Sequence, residues 1–347
     1  MTAVTIYDVA ALAGVSIKSV SRVLNDEPNV SQTLKDKVQK AVHQLGYRRS
    51  LSARSLAGAS SYLIAAFVDA ELTIEHWKSG RGNDYLSRLE LGALMECRRA
   101  DYHLMVELID HGSDTLERDV TALLAALKPA GVLLTPPNSD HPQVLAVLER
   151  TGTPFARIGP EATSARGFSI SMDERQAAQE MTEHLIGLGH RRIGFISGPA
   201  NYSASRKRRG GFEAAMAAHD LPVADELMVE GDFTFESGVA GGGRLLGLDD
   251  RPTAIFASND DMALGVLQAA AALGLKAPDD VSVAGYDDTP SALFSTPPLT
   301  TVRQPVAEMA ARATRLLIPA LKPEDASEAS IVPYELILRA STAPLAA

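Results

Sequence analysis

The chain has 347 residues, of which 46% are hydrophobic and 22% charged, a composition typical of soluble globular proteins with two or three domains. It excludes collagen-like, wholly disordered and disulfide-stabilised proteins. Cys97 is the single cysteine, so we expect neither an internal disulfide nor a thiolate zinc site. No apolar stretch reaches the roughly 18 residues of a membrane span. Residues 1–15 lack the pattern of a signal peptide, so we expect a cytoplasmic protein.

Charge is distributed unevenly along the chain. The net charge is −10, yet residues 1–60 carry eight basic and four acidic side chains, so this segment is +4 and the remainder is −14. A small basic head on a large acidic body indicates contact with nucleic acid at one end of the chain.

Residues 5–25 predict two short helices joined by a tight turn. Thr5 begins the first helix with a capping-box pattern, Gly14 ends it, and Ser16 caps the second. A third helix begins after Ser31. The apolar residues at helical spacing are Val9, Ala10, Ala13, Val20, Val23, Leu24, Leu34, Val38, Ala41, Val42 and Leu45. The pattern predicts a helix-turn-helix, whose second helix fits the major groove.

The second helix leaves a group of side chains on its outer face: Ile17, Lys18, Ser21 and Arg22. Arg22 can donate a bidentate pair of hydrogen bonds to guanine. Polar residues placed to contact phosphates are Tyr7, Asn25, Ser31 and Thr33. The alternative is a generic three-helix bundle with solvated charges, but the turn, the caps and the local charge together favour DNA binding.

The head carries a specific set of motifs. They are Tyr7-Asp8-Val9-Ala10, Ala13-Gly14-Val15-Ser16, Val20-Ser21-Arg22-Val23-Leu24-Asn25, Val30-Ser31 and Leu45-Gly46-Tyr47. These motifs resemble the head of the LacI/GalR family of bacterial transcriptional regulators, and the resemblance extends over essentially the whole chain. It implies that Ile17, Lys18 and Arg22 read operator bases.

Residues 48–60 connect the head to the body. As bare sequence they are a linker of small residues and predict a flexible tether. The resemblance implies instead a hinge helix at Ala53-Arg54-Ser55-Leu56, paired with its dimer mate in the minor groove, with Leu56 inserted between base pairs. The chain departs from the family here, because Arg49-Ser50 stands where Pro-Asn is usual. The complete predicted DNA-binding set is Thr5, Tyr7, Ser16, Ile17, Lys18, Ser21, Arg22, Asn25, Ser31, Thr33, Tyr47, Arg54 and Leu56.

From Tyr62 onward, short apolar runs alternate with amphipathic segments. The predicted strands are Leu63–Val68, His103–Ile109, Gly131–Leu134, Phe155–Ile158, Arg192–Ile196, Ala254–Ala257 and Val281–Ala284, with a shorter one around Met228. Helical patterns include Tyr85–Arg99, Thr115–Leu127 and Glu174–Leu188. This alternation predicts parallel sheets covered by helices on both faces, in two lobes with a cleft between them.

The body is similar to periplasmic sugar-binding proteins, whose fold the effector domain of the family shares. We therefore expect an all-α helix-turn-helix head and an α/β periplasmic-binding-protein-like body of two doubly wound parallel-sheet lobes. The predicted domains are the head 1–47, the hinge 48–60 and the body 61–347, with lobe one at about 61–159 plus 290–318 and lobe two at about 160–289 plus 319–342. The resemblance implies three crossings between the lobes, which we place near Gly159–Glu161, Tyr286–Pro290 and Leu317–Ala320.

The strand ends of the body carry residues suited to a polyol. Carboxylates accept from hydroxyls, an Arg guanidinium donates to them, amides do both, and an aromatic ring packs on the apolar face of a sugar. With the resemblance, these residues predict an effector site of Asp69, Tyr85, Arg206, Phe233, Asn259, Asp287 and Gln304.

Each of these residues has a simpler interpretation. Arg206 begins the run Arg206-Lys207-Arg208-Arg209, which alone predicts a solvated helix end. Phe233 is as well explained by packing in the core, and the polar stretch 70–84 can redirect Asp69 and Tyr85. Asp260 and Asp288 are better explained as caps or inter-lobe contacts.

Other patterns do not predict catalysis or a metal site. Gly241-Gly242-Gly243 lacks the Lys-Ser or Lys-Thr of a phosphate loop and is better explained by close helix packing. The eight histidines show no metal-ligand spacing. Adjacent aspartates have no nucleophile with an oriented base beside them. We therefore expect no enzyme, no cofactor and no metal.

The sequence thus predicts a homodimeric repressor that binds pseudo-palindromic operator DNA under the control of a small-molecule effector, most simply a sugar. Alternatives are a purine or other non-sugar effector acting as a corepressor, a sugar-binding module that does not bind DNA, and an α/β hydrolase or kinase. The ligand can release DNA or tighten its binding. The tail after Leu338 has no heptad pattern for tetramerisation.

Overall fold

The computed structural model describes residues 4–25, 27–47, 61–80, 82–161, 167–319 and 329–345. The chain divides into two compact units, Met1–Tyr62 and Leu63–Ala347. Among the described residues, no helix combines the length and the apolarity that a membrane span requires.

The first unit is a bundle of three helices. They are α1 (Ile6–Ala13), α2 (Ile17–Leu24) and α3 (Gln32–Leu45). The Thr5 amide donates to the Asp8 carboxylate at 2.8 Å, which completes the predicted capping box of α1, and Gly14 ends that helix with a φ of 64°. The buried core is formed by Val9, Ala10, Val20, Val23, Val38 and Ala41. The predicted helix-turn-helix is confirmed.

Lobe one of the body is built on a parallel sheet. Its described strands are β1 (Leu63–Asp69), β2 (His103–Ile109), β3 (Gly131–Leu134), β4 (Phe155–Ile158), β5 (Phe168–Ser171) and β11 (Ala329–Ile331), in the order β11-β5-β4-β3-β1-β2. Its helices are α4 (Ala70–Lys78), α5 (Asp84–Arg99), α6 (Leu116–Leu127), α7 (Pro142–Thr151) and α13 (Val306–Leu317). A Cβ at Gly92 would lie 2.0 Å from the Ala307 carbonyl oxygen, so glycine allows α5 and α13 to pack closely.

Lobe two has a second parallel sheet of similar design. Its strands are β6 (Ile193–Ser197), β7 (Met228–Glu230), β8 (Ala254–Ala257) and β9 (Ser282–Ala284), in the order β7-β6-β8-β9. Its helices are α8 (Glu174–Gly187), α9 (Ser203–Ala218), α10 (Phe235–Leu246), α11 (Asp260–Ala272) and α12 (Pro290–Phe294). A Cβ at Gly242 would approach the Val266 backbone to 2.9 Å, and one at Gly238 would approach the Met262 carbonyl oxygen to 2.3 Å. Gly242 therefore serves close helix packing as predicted, and Gly238 does too, whereas a Cβ at Gly243 would meet open space.

The crossings between the lobes come later in the chain than predicted. β5 and β11 both belong to the sheet of lobe one, so the chain leaves that lobe after Ser171 and after Ile331. The return to lobe one is also late. Helix α12 still packs on α11 of lobe two, and the chain then forms β10 (Thr301–Arg303) before it reaches α13 of lobe one. Strand β10 pairs with β12 (Glu335–Ile337). Strands β5 and β11 have only four and three residues, and a run this short is too brief for its alternation of serine with apolar residues to stand out in the sequence.

Both sheets are covered by helices on two faces, and the largest apolar cluster runs through both lobes, from Ile64 and Leu133 to Phe195 and Phe256. The predicted fold class is confirmed. Parallel strands place their carboxyl ends along one edge of each sheet, and in such α/β lobes ligands bind at that edge.

Candidate functional site

The outer face of α2 presents the residues predicted to read DNA. Ser16 caps the helix by accepting a hydrogen bond from the Ser19 amide at 3.1 Å. The side chains on this face are Ile17 and Lys18, which are exposed, and Ser21 and Arg22, which are half-buried. A short helix with basic, polar and apolar groups at its N-terminal end can contact base edges in a major groove.

Arg22 is bound by a neighbouring carboxylate in the free head. Its Nε donates to Glu27 Oε2 at 3.2 Å, and the two side chains are 39% and 45% exposed. An ion pair this exposed contributes little stability. A guanine or a phosphate can therefore replace Glu27 at small cost.

The other predicted DNA contacts lie around α2 or outside the described residues. Four occupy helix caps or first turns of the head: Thr5, Tyr7, Ser31 and Thr33. Asn25 ends α2, and its amide donates to the Ser21 hydroxyl at 3.3 Å. Tyr47 packs partly buried against the head core. Arg54 and Leu56, with the whole hinge prediction 48–60, lie outside the described residues.

A cavity of about 390 Å³ lies in the body between residues of the two lobes. Six of the seven residues predicted to bind an effector line it: Asp69, Tyr85, Phe233, Asn259, Asp287 and Gln304. Asp69 ends β1, and Asn259 follows β8, so strand ends of both sheets contribute. The volume is within the range of small-molecule sites, and effector binding by these six residues remains a prediction.

The structure places Arg206 outside this lining and Arg208 within it. Arg206 Nε donates to Glu161 Oε2 at 3.0 Å, and 45% of its side chain is exposed. Arg206 thus fits the simpler interpretation of the basic run, a solvated side chain near the end of a helix. Two residues along an α-helix are separated by about 200°, so Arg208 points the opposite way. The cavity guanidinium is Arg208.

Arg208 is a fixed cation in the cavity wall. Its side chain is 5% exposed and donates through Nε to Glu174 Oε2 at 2.8 Å. The guanidinium also lies 3.7 Å above the centre of the Tyr286 ring, a cation–π geometry. Burial opposes its charge, but the Glu174 carboxylate raises the pKa of the Arg208 guanidinium above its usual value.

Asp287 is a cavity carboxylate that titrates near neutrality. Burial raises its pKa to about 7, although the Arg208 guanidinium acts in the opposite direction. The Gln304 amide donates to its Oδ1. Its neighbour Asp260 is fully buried and accepts from the Thr301 hydroxyl at 2.6 Å. Burial and the charge of Asp287 raise the pKa of Asp260 as well.

Aromatic side chains complete the walls. The Tyr202 hydroxyl donates to Asp69 Oδ2 at 2.5 Å, and its ring meets Phe233 edge-on at 5.4 Å. Phe233 has a left-handed φ of 68°, and its carbonyl accepts from the Asn259 amide at 2.9 Å. This hydrogen bond supports a backbone conformation that is costly for a bulky residue. The rings offer apolar faces on which a sugar can pack.

The cavity lining is acidic. Its carboxylates are Asp69, Asp84, Glu174, Asp261 and Asp287, and its basic side chains are His76 and Arg208. Carboxylates accept hydrogen bonds from hydroxyls and repel phosphates and other carboxylates. Such a lining disfavours ligands with a negative charge.

Sequence reasoning missed some of the lining residues: His76, Glu174, Tyr202, Arg208 and Asp261. Glu174 and Asp261 lie in the first turns of α8 and α11, a position common for helix-stabilising acids and therefore uninformative. His76 belongs to the polar stretch 70–84, whose local sequence does not indicate that it lies on a cavity.

Comparison with known proteins gives two family matches. Residues 5–50 match bacterial regulatory proteins of the lacI family, and residues 182–342 match a periplasmic binding protein-like domain. Catabolite control protein A of Priestia megaterium is 31% identical to this chain over 344 residues, which cover 98% of this chain and 99% of that protein.

Solved structures share the architecture along nearly the whole chain. The lac repressor dimer bound to operator and the anti-inducer ONPF matches with a TM-score of 0.79 and 27% identity, over 99% of this chain and 100% of that chain. A complex of the transcriptional regulator CelR with cellobiose matches with a TM-score of 0.72 and 29% identity, over 97% and 99% of the two chains.

Proposed function

The chain belongs to the LacI family of bacterial regulatory proteins, and we propose that it represses transcription until a sugar-like polyol fills the cavity of its body. Members of this family bind operator DNA as dimers and carry an effector-binding domain. The observation that carries the proposal is the cavity itself, which side chains of both lobes line with carboxylates, amides, a guanidinium and aromatic rings.

The head supplies recognition of the operator. Arg22, released from Glu27, donates to guanine, and Lys18 and Ile17 contact neighbouring bases in the same major groove. Thr5, Tyr7, Ser31 and Thr33 lie at helix ends around α2, where they contact phosphates and determine register. Two heads of a dimer bind two half-sites, which makes the operator pseudo-palindromic.

The body supplies recognition of the effector. Asp287 and Asp69 accept from adjacent hydroxyls, Arg208 donates to them, and the rings of Tyr85 and Phe233 pack on the apolar face of the pyranose. The excess of carboxylates disfavours sugar phosphates and sugar acids. The structural relative that holds cellobiose supports a neutral sugar as the effector class.

The two activities are coupled through the lobes. Because lining residues belong to both lobes, a bound polyol favours one relative arrangement of them over another. A difference in effector affinity of about 1–3 kcal/mol between two arrangements is typical of such coupling. We propose that sugar binding lowers the affinity for the operator and so releases it.

The α5 side of lobe one is suited to bind a second copy of the chain. Helix α5 exposes Leu91, Leu94 and Met95, and the edge strand β2 exposes Leu108 on the same side of the sheet and Met105 on the other. Exposed apolar residues grouped in this way mark interaction surfaces, and an interface made of identical patches is the usual one in homodimers.

We infer no catalytic activity, and we place the protein in the cytoplasm with the DNA it binds. The Glu174 carboxylate is paired with Arg208, and Asp84 with Arg88 at 2.7 Å. Cys97 is buried in α5, and burial raises the pKa of its thiol to about 12, which opposes a role as a nucleophile.

The test begins with an operator selected from random duplexes and a thermal-shift screen of sugars, sugar phosphates and purines. Asp287→Ala is expected to bind the operator normally and to lose the response to the sugar that stabilises the wild type. Arg206→Ala is the matched control and is expected to respond as the wild type does. An Asp287→Ala variant that releases DNA at the wild-type sugar concentration would contradict the proposed site.

A further inference from the structure

The effector cavity has a buried end and an open end. The lining residues Arg208, Asn259 and Gln304 are buried. Gly82 and Ser291 also line the cavity, but both are exposed. Gly82 lies between α4 and α5 of lobe one, and Ser291 lies in α12 of lobe two. The cavity therefore opens to solvent between these two segments, which we call its mouth.

Helix α4 forms one side of the mouth. It follows β1 of lobe one, and its Leu72 packs against the buried apolar cluster of lobe two, so the helix bridges the lobes. Thr73 lines the cavity, as does Gly82 beyond the end of the helix. Residues four apart lie on the same side of a helix, which places Trp77 one turn beyond Thr73. The Trp77 side chain is 83% exposed.

Helix α12 repeats this arrangement on the other lobe. Phe294 follows the lining residue Ser291 by three positions, so the two lie on the same side of the helix. Phe294 is 80% exposed, and among the described residues it and Trp77 are the most exposed large hydrophobic side chains. A single exposed apolar residue is ordinary, but exposed aromatic rings on both sides of one opening mark a binding groove.

The cavity is also larger than one sugar ring requires. A hexose with a van der Waals volume of about 150 Å³ occupies about 200 Å³ at the packing density of protein interiors. The cavity measures about 390 Å³, so one hexose fills about half of it. The hydroxyl groups of Thr73 and Ser291 line the remaining space at the mouth, where they can donate to and accept from a second sugar unit.

We propose, on the basis of the proposed function, that the effector is a neutral oligosaccharide of at least two sugar units. The inner unit contacts the carboxylates and Arg208 at the buried end. The second unit lies at the mouth, where its apolar faces pack on the rings of Trp77 and Phe294. These rings contact only a ligand that extends beyond its first unit, and they therefore select the effector by length.

The experiment compares a monosaccharide with the disaccharides built from it: glucose with cellobiose and maltose, and xylose with xylobiose. Each is titrated calorimetrically into the full-length protein without DNA. We expect a disaccharide to bind at least about 4-fold more tightly than its monosaccharide, because each of the two rings contributes about 2–12-fold, the range of an aromatic packing contact. Trp77 is the single tryptophan of the sequence, so protection from acrylamide quenching by the disaccharide, and not by the monosaccharide, reports the second unit directly.

Variants separate the two units. Trp77→Ala and Phe294→Ala are each expected to weaken disaccharide binding by about 2–12-fold and to leave monosaccharide binding unchanged. Trp77→Phe keeps an aromatic ring and is expected to retain most of the disaccharide affinity. Leu273→Ala is the matched control, because Leu273 is exposed on lobe two but does not line the cavity, and it is expected to bind both sugars as the wild type does.

Three results would overturn this inference while the proposed function stands. They are equal affinities for monosaccharides and disaccharides, a disaccharide preference that is unchanged in both alanine variants, and a Trp77 ring that becomes shielded from acrylamide without sugar as the protein concentration rises. The last result would show that a second copy of the chain covers the ring. If no sugar of either length binds, the proposed function fails together with the inference, which distinguishes the two failures.

Discussion

Arg206 and Arg208 of α9 provide a direct comparison between an exposed and a buried ion pair. Arg208→Ala is expected to destabilise the body by about 3–5 kcal/mol, because it leaves the Glu174 carboxylate buried without a counter-charge. The side chains of that pair are 5% and 8% exposed. Arg206→Ala removes a pair whose side chains are each 45% exposed, and the expected cost is about 1 kcal/mol or less.

The assay is urea unfolding of the full-length variants, followed by far-UV circular dichroism at one protein concentration. A double variant, Arg208→Met with Glu174→Gln, is expected to recover part of the loss, because no uncompensated charge remains. Equal losses for Arg208→Ala and Arg206→Ala would refute the assignment of Arg208 as the buried arginine, and a double variant as unstable as Arg208→Ala would refute the electrostatic explanation.

Three further predictions concern pH, DNA and the dimer. The raised pKa of Asp287 means that the folded chain retains a proton which the unfolded chain releases, so wild-type stability falls from about pH 4 to about pH 7. The melting temperature of Asp287→Asn should fall less over this pH range than that of the wild type. Parallel profiles of melting temperature against pH would contradict this. Arg22→Ala is expected to cost about 1–3 kcal/mol at one operator base pair and little on random DNA; equal losses on both duplexes would count against base reading. Leu94→Glu on the apolar face of α5 should give monomers in sedimentation, whereas Leu273→Glu on lobe two should not. A dimer that stays intact in Leu94→Glu would contradict the assignment of this face as the dimer interface.

The head and most strands were predictable because local sequence alone determines them. Caps such as Ser16 and Ser31 act within three residues, and a strand such as His103–Ile109 is bounded by clear turns, so the predicted and observed limits coincide. The crossings were misplaced because β5 and β11 are short, and their strand character comes from pairing in the sheet, β5 with both β4 and β11, and β11 with β5. Pairing between residues 160 positions apart leaves little trace in either segment.

The candidate site was only partly predictable for a related reason. Strand ends locate residues such as Asp69 and Asn259 well, because a strand fixes where its last side chain lies. Within the basic run of α9, four neighbouring side chains differ only in helical phase, and tertiary packing decides which one enters the cavity. The bridging position of α4 depends on Leu72 meeting lobe two, a contact that the polar stretch 70–84 does not reveal.

The central claim is that occupation of the body cavity changes the affinity of the head for its operator. The most direct measurement is a titration of labelled operator with full-length protein, with and without the sugar that stabilises it in the thermal screen. The account predicts weaker operator binding in the presence of the sugar, by about 5–150-fold for typical coupling energies, and no such change for Asp287→Ala. The same operator affinity with and without a sugar shown to occupy the cavity would contradict it.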